Sequence, residues 1–252
     1  MINRFHKIQL LLFAVLALLV LSPLWSQTPT GLDDRVLYKI VDLKEEVVEL
    51  HYKDSNGNLI NTLGQLENGL KEDGKELLFG MNGGMFHPDY SPVGLYIEDF
   101  SEINRINNSR GKANFNLRPN GVFSIYGDQT AMICTTSTFA ADPDIRFATQ
   151  SGPMLLINGE FHPAFNEGSK NVNIRNGVGV LPNGNVVLAM STTFINFYDF
   201  ARFFKSLGCK NALYLDGAVS QVFYPDGDWV QTNRKFGVLI SVRKKDSEEK
   251  KN

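Results

Sequence analysis

The stretch Asn196–Gly217, NFYDFARFFKSLGCKNALYLDG, decides the fold. Asn196 has the side chain of a helix N-cap, with Asp199 three residues on in the manner of a capping box. Phe197, Phe200, Ala201, Phe204 and Leu207 then line one face at helical spacing, and Gly208 supplies the C-terminal stop. That Phe stripe reads as core. Beyond it, Ala212, Leu213, Tyr214 and Leu215 form an apolar strand that delivers Asp216 at its end.

Working outward, most of the chain reads as short strands. Val36–Asp42, Val47–Tyr52, Val93–Ile97, Val122–Tyr126, Met132–Cys134 and Met154–Ile157 are apolar runs punctuated by Gly or Asn. In the second, Val48, Leu50 and Tyr52 alternate with Glu49, His51 and Lys53, the period of a half-buried strand. Asn56-Gly57 supplies a turn, and Leu63, Leu66 and Leu70 predict a short helix ending near Asp73-Gly74. Pro182-Asn183-Gly184, between Val178–Leu181 and Val186–Met190, is a hairpin signal, and Phe236–Val242 is the last strand. There is no regular alternation of strand and helix. The expected fold is α+β, a single domain over residues 33–243 with a mixed, largely antiparallel sheet and a few packed helices.

The N-terminus has a different character. Arg4, His6 and Lys7 precede an unbroken apolar run from Leu10 to Leu21, closed by Pro23 and Trp25, with small Ser26 before a cleavage point. Residues 1–26 therefore read as a secretory signal peptide, and the run falls short of the roughly 20 residues that span a bilayer. The expectation is a secreted or periplasmic protein with no membrane attachment after cleavage. No Cys follows the run, which argues against a lipid anchor. Removing it leaves about 225 residues, enough for one domain with a proper core. The net charge is −2 and no basic stripe is evident, so no nucleic-acid partner is expected. Arg243–Lys251 is a charged stretch without apolar residues, and residues 244–252 read as a solvated, flexible tail. Cys134 and Cys209 are compatible with a disulfide or with two separate thiols.

Four segments place polar groups at the ends of apolar strands. In Asn82-Gly83-Gly84-Met85-Phe86, a Gly pair lets backbone N–H groups approach an anion, and Asn82 adds an amide. Gln150-Ser151-Gly152-Pro153 reads as a rigid turn presenting Gln150 and Ser151, without the Gly-x-Ser-x-Gly elbow of a hydrolase triad. In Asn173-Ile174-Arg175-Asn176-Gly177-Val178-Gly179, Arg175 lies among apolar residues and needs an anion, from the protein (Asp216 or another acid) or from a substrate. Its planar guanidinium suits a phosphodiester. Asp216-Gly217, with Ser220 in the same loop, has the form of a catalytic or metal-binding carboxylate, or of a turn Asp.

Taken together, these segments resemble the phosphodiester glycosidase domain, in unchanged order from about Leu77 to Val242. The resemblance implies hydrolysis of a sugar joined through its anomeric carbon to a phosphodiester. Asn82, Gly83 and Gly84 match the first motif, Arg175 and Asn176 the middle one, and Asp216, Gly217 and Ser220 the last. Family members often carry a Gly-rich run after the Asp, where this chain has Ala218-Val219. A phosphate leaving group is already a weak base and needs cations and donors more than a proton, so one carboxylate can suffice. Arg175 and the Gly83-Gly84 backbone are expected to hold the phosphate. Asp216 is expected to act at the anomeric centre as nucleophile or as base toward water. His162 is the first candidate for a second polar group, ahead of Glu167 and His87. No metal motif is visible and no cofactor is expected, although Asp216 with Asn82 leaves a divalent ion open. The alternatives are a non-catalytic module binding carbohydrate or cell-wall polymer, and a phosphodiesterase cleaving on the phosphorus side.

Overall fold

The computed structural model describes residues 33–217, 219–247 and 249. The proposed signal peptide and the last residues of the tail lie outside the described residues. In chain order the first strands are β1 (Val36–Val41), β2 (Glu46–His51), β3 (Phe79–Asn82), β4 (Tyr96–Glu98), β5 (Ser101–Asn104) and β6 (Gly121–Tyr126). Next come β7 (Ala131–Thr135), β8 (Ile145–Ser151), β9 (Met154–Ile157), β10 (Glu160–Phe161), β11 (Val172–Asn173) and β12 (Arg175–Val180). The series ends with β13 (Val186–Ser191), β14 (Ile195–Asn196), β15 (Asn211–Gly217), β16 (Val222–Tyr224), β17 (Trp229–Val230) and β18 (Leu239–Lys244). The two α-helices among the described residues are α1 (Leu63–Glu72) and α2 (Phe197–Ser206).

Three sheets carry the architecture: β1-β13-β12-β15-β9-β10, β17-β16-β3-β18-β2 and β5-β4-β8-β6-β7, with a small β11-β14 pair. Their pairings are antiparallel. The α+β expectation is therefore corrected toward β: the domain is sheet-rich, and helices serve only as two covers. Tight turns explain the balance. Leu181 N–H donates to Asn185 O at 2.9 Å and Gly184 has φ +89°, so the Pro182-Asn183-Gly184 segment closes the β12–β13 hairpin as its sequence predicts.

Both helices are specified locally. Asn196 accepts the Asp199 N–H at 2.8 Å, and Gly208 with φ +94° ends α2. Thr62 and Gln65 form the capping box of α1, which stops at Asp73. The face of α2 carrying Phe200 and Phe204 packs on Leu155, Val187, Ala189 and Ala212 of the first sheet. Gly177 and Gly179 permit that approach, because a Cβ would lie 3.2 Å from Phe200 at one and 2.7 Å from Phe204 at the other. The alternate residue Val178, with Leu188, Leu213 and Leu215, faces a core shared with Phe79, Ile240, Phe123 and Ile125 of the other two sheets. Helix α1 covers the second sheet through Leu63, Leu66 and Leu70 against Phe223, Phe236 and Leu239.

Four local expectations change. The Val93–Ile97 run gives a strand only from Tyr96, because Asn104 and Asn107 amides donate to the carbonyls of Pro92, Val93 and Gly94 and take the place of a ladder. Gln150 and Ser151 are the last residues of β8, not part of a turn. Glu49, expected on the solvent side, is buried because Arg243 meets it with bonds of 2.7 and 3.1 Å. Arg243, expected at the start of the solvated tail, is itself only 2% exposed and also holds Glu249 at 2.7 Å. Cys134 and Cys209 are free thiols.

Candidate active site

Asp216 stands where the three sheets meet. On β15, it lies opposite Asn176 of β12, and Gly217 lies opposite Arg175. A bulge at Asn176/Gly177 places Tyr214, not Leu215, opposite Gly177. Asn176 is fully buried and bridges the sheets: its Oδ1 accepts the Asp216 N–H at 2.9 Å, and its Nδ2 donates to Asn82 O at 2.6 Å. Asn82 ends β3 of the second sheet, and its Oδ1 accepts the Gln221 N–H at 3.2 Å. The third sheet joins through β8. Ser151 Oγ donates to Leu215 O at 2.6 Å, and Thr149 Oγ1 to Gly83 O at 3.1 Å.

Within this junction Asp216 is half-buried, and burial pushes its carboxyl up to about 7, against the smaller opposing pull of the Gly217 N–H at 2.6 Å. The group thus exchanges a proton near neutrality.

Arg175 is completely buried. Its Nε donates to Ile195 O at 2.9 Å and its Nη2 to Asn171 O and Oδ1 at 2.9 and 3.1 Å. The guanidinium lies 3.5 Å above the Phe197 ring. Among the described residues it has no carboxylate partner, so the ion pair with Asp216 is not formed and the charge is held by carbonyls and a π-face. Burial lowers its pKa, as expected for a cation lacking an anion.

Tyr214 was missed in the sequence, where it reads as one more apolar-strand residue. It is 2% exposed, its ring packs edge-on against Phe197 at 4.9 Å, and Arg175 lies 5.6 Å from its centroid. Its hydroxyl crosses over Gly217, where a Cβ would collide with it, and it interacts with Arg175, Asp216 and Asn114. Burial, then Asp216, raises its pKa, so it stays a neutral phenol. The available signal was that a buried Tyr needs a partner for its hydroxyl.

Several expected contacts fall elsewhere. Gln150 is filled within the protein, accepting from Leu95 N and Asn107 N and donating to Asn107 O and Thr136 Oγ1. Gly152 packs against Asn120, where a Cβ would come within 2.5 Å. The Gly83 N–H donates to Val238 O at 2.8 Å, so it is not free for a phosphate. His162 is 1% exposed and ends a ring ladder in which it stacks on Phe165 at 4.8 Å and Phe165 on Phe197 at 4.9 Å. Its Nδ1 accepts the Ala164 N–H, which leaves the proton on Nε2, and burial keeps the ring neutral. Glu167 is 73% exposed.

The atoms left over are informative. Asn82 Nδ2, Ser220 Oγ, Arg175 Nη1 and His162 Nε2 are buried without a hydrogen-bond partner. Each can donate, and an orphaned buried donor is costly. Asn82 is tied to Asp216 through Asn176, Arg175 sits opposite Gly217, and Ser220 precedes the Gln221 N–H that Asn82 accepts, so the end of β15 is deficient in acceptors and suited to an anionic or hydroxyl-rich ligand. No group of three His, Cys, Asp or Glu side chains arranged for a metal occurs among the described residues.

The chain is similar to known proteins at two levels, sequence and fold. The family model described as phosphodiester glycosidase matches residues 75–243. The uncharacterized protein YigE of Escherichia coli (strain K12) is 36% identical over 206 residues, spanning 81% of this chain and 80% of YigE. In fold, the chain is similar to the zebrafish N-acetylglucosamine-1-phosphodiester alpha-N-acetylglucosaminidase catalytic domain auto-inhibited by its pro-peptide. The TM-score is 0.57 at 15% identity, covering 84% of this chain and 85% of that one. A hypothetical protein from Synechocystis gives a TM-score of 0.52 at 13% identity, covering 83% of this chain and 59% of that one.

Proposed function

The chain belongs to the phosphodiester glycosidase family, and from that premise we propose that it hydrolyses the glycosidic bond of a sugar-1-phosphodiester, releasing free sugar and a phosphomonoester. The observation that carries this reading is a half-buried carboxyl pushed up to about 7 among buried donors without acceptors, one of them on a guanidinium with no counter-carboxylate. Asp216 takes a proton from water as the water oxygen bonds to the anomeric carbon. The bond from that carbon to the phosphate oxygen breaks, and its electron pair leaves with the phosphate. A base titrating near neutrality is well matched to that task. Asn82 Nδ2 and Ser220 Oγ supply donors to the substrate. Arg175, buried against Phe197 with Tyr214 nearby, supplies a positive field for the leaving phosphate, with Nη1 as its unpaired donor. The N-terminal basic–apolar–small pattern supports export, so the substrate belongs outside the cytoplasm; N-terminal sequencing of the protein recovered from periplasm or medium tests this.

The decisive experiment is incubation with a sugar-1-phosphodiester and identification of both products. Free sugar with a phosphomonoester supports the glycosidase. Sugar 1-phosphate would assign cleavage to the phosphorus side, and tight binding without turnover would assign a carbohydrate-binding module.

A further inference from the structure

The cations of the segment between β5 and β6 are used by nothing described so far. From Asn104 to Gly127 the chain carries Arg105, Arg110, Lys112 and Arg118 and no Asp or Glu, in a protein of net charge −2. All four are exposed. Arg105 has Glu102 at 3.9 Å, whereas Arg110, Lys112 and Arg118 form no ion pair among the described residues. Arg118 Nη2 donates to Asn108 O at 2.7 Å, which orients the guanidinium without cancelling its charge.

This segment is fastened to the site. Gln150 grips both the N–H and the carbonyl of Asn107 at 2.8 Å, and Phe115 is buried with its carbonyl accepting from Asn120 Nδ2 at 2.9 Å. Asn114, between Lys112 and Arg118, interacts with the Tyr214 hydroxyl that also interacts with Arg175 and Asp216. Gly152, next to the Ser151 that bonds Leu215 O, packs against Asn120 and the Phe115 carbonyl, so the backbone that carries these cations runs beside the end of β15.

We propose that this segment is the aglycone subsite and that the substrate's aglycone is itself anionic, carrying phosphate or carboxylate groups beyond the scissile phosphodiester. The proposal rests on the hydrolytic reading of Asp216. One phosphodiester brings a single charge, whereas three exposed cations without carboxylates gain from further anions only when these lie within about a Debye length, roughly 8 Å at physiological salt. Each exposed contact is weak by itself, and their sum acts mainly on capture of the correct substrate.

The test compares two substrates with the same sugar, a methyl phosphodiester and a diester whose aglycone ends in a phosphomonoester, using the full protein and the double variant Arg110→Glu/Lys112→Glu. The wild type is expected to favour the charged aglycone about tenfold in kcat/KM at low salt, with the preference fading as salt rises. The double variant is expected to lose the preference, its rate on the methyl diester falling by a smaller factor than its rate on the charged aglycone because that substrate offers only the scissile phosphate to the altered field. Equal rates on both substrates in the wild type, or a preference that survives in the variant, overturns the proposal. If neither substrate turns over, the hydrolytic reading fails, and calorimetry with inorganic tripolyphosphate still reads the subsite: binding lost in the variant supports it, and equal binding overturns it. Loss of binding to anionic lipid vesicles in the variant, with equal rates on the two substrates, would make the segment a membrane contact and overturn the proposal as well.

Discussion

Asp216 retains some contact with water while its surroundings are amide and aromatic, and this holds its carboxyl near 7 instead of in the usual carboxylate range. The raised value has two consequences of opposite sign. In the proposed mechanism the ionised form is the base, so kcat/KM is expected to fall as pH drops below about 7, and Asp216→Asn is expected to abolish turnover. For stability, the folded state binds the proton more tightly than the unfolded state between about pH 4 and 7, so stability declines as pH rises through that window. Asp216→Asn should therefore be more stable than wild type at pH 8, by on the order of 1–2 kcal/mol after allowing for residual solvent contact, and no more stable at pH 4. Paired thermal melts at the two pH values check this. Tyr214→Phe removes the hydroxyl that lies over Gly217, next to Asp216 in the chain, and interacts with Arg175. It is expected to lower kcat/KM about tenfold while leaving the melting temperature within a few degrees. Asp216, Arg175 and Asn82 were legible in the sequence because a charge or amide at the end of an apolar strand is conspicuous. Tyr214 was not, because an aromatic in a buried strand looks like core.

The two helices and most strands could be read locally because their signals are local: a cap at Asn196, the Leu63, Leu66 and Leu70 spacing, Gly208 past a Phe stripe, and a Pro-Asn-Gly turn. Strand β18 is the counterexample. Its Arg243 looked like the start of a solvated tail because its acid partners are Glu49, 194 positions upstream, and Glu249, held by a loop. Arg243 pulls the Glu249 carboxyl down to about 2. Arg243→Ala leaves Glu49 buried without its cation and should destabilise the protein by about 3–5 kcal/mol in chemical denaturation, with little effect on the pH dependence of turnover.

Across the whole molecule, Asn176 ties β3, β12 and β15 together, and Ser151 and Thr149 bind the third sheet to the same point. Asn176→Ala strands a buried carbonyl and a buried N–H, and is expected to cost about 2–3 kcal/mol. Because the bond sets the position of Asp216, activity should fall further than stability alone predicts, which kcat measured well below the melting temperature would reveal. The sequence by itself determined where most of the strands and both helices lie, and which residues resemble the family's motifs, because these follow from periodicity and side-chain type along a continuous chain. Only the tertiary structure decided which of the motif's polar groups are left without a partner. Gln150, Ser151 and the Gly83 N–H are satisfied by distant parts of the chain, whereas Asn82 Nδ2, Ser220 Oγ and Arg175 Nη1 are not. Hydrogen-bond saturation and desolvation depend on partners brought together from separate sheets, and residue type carries no record of them.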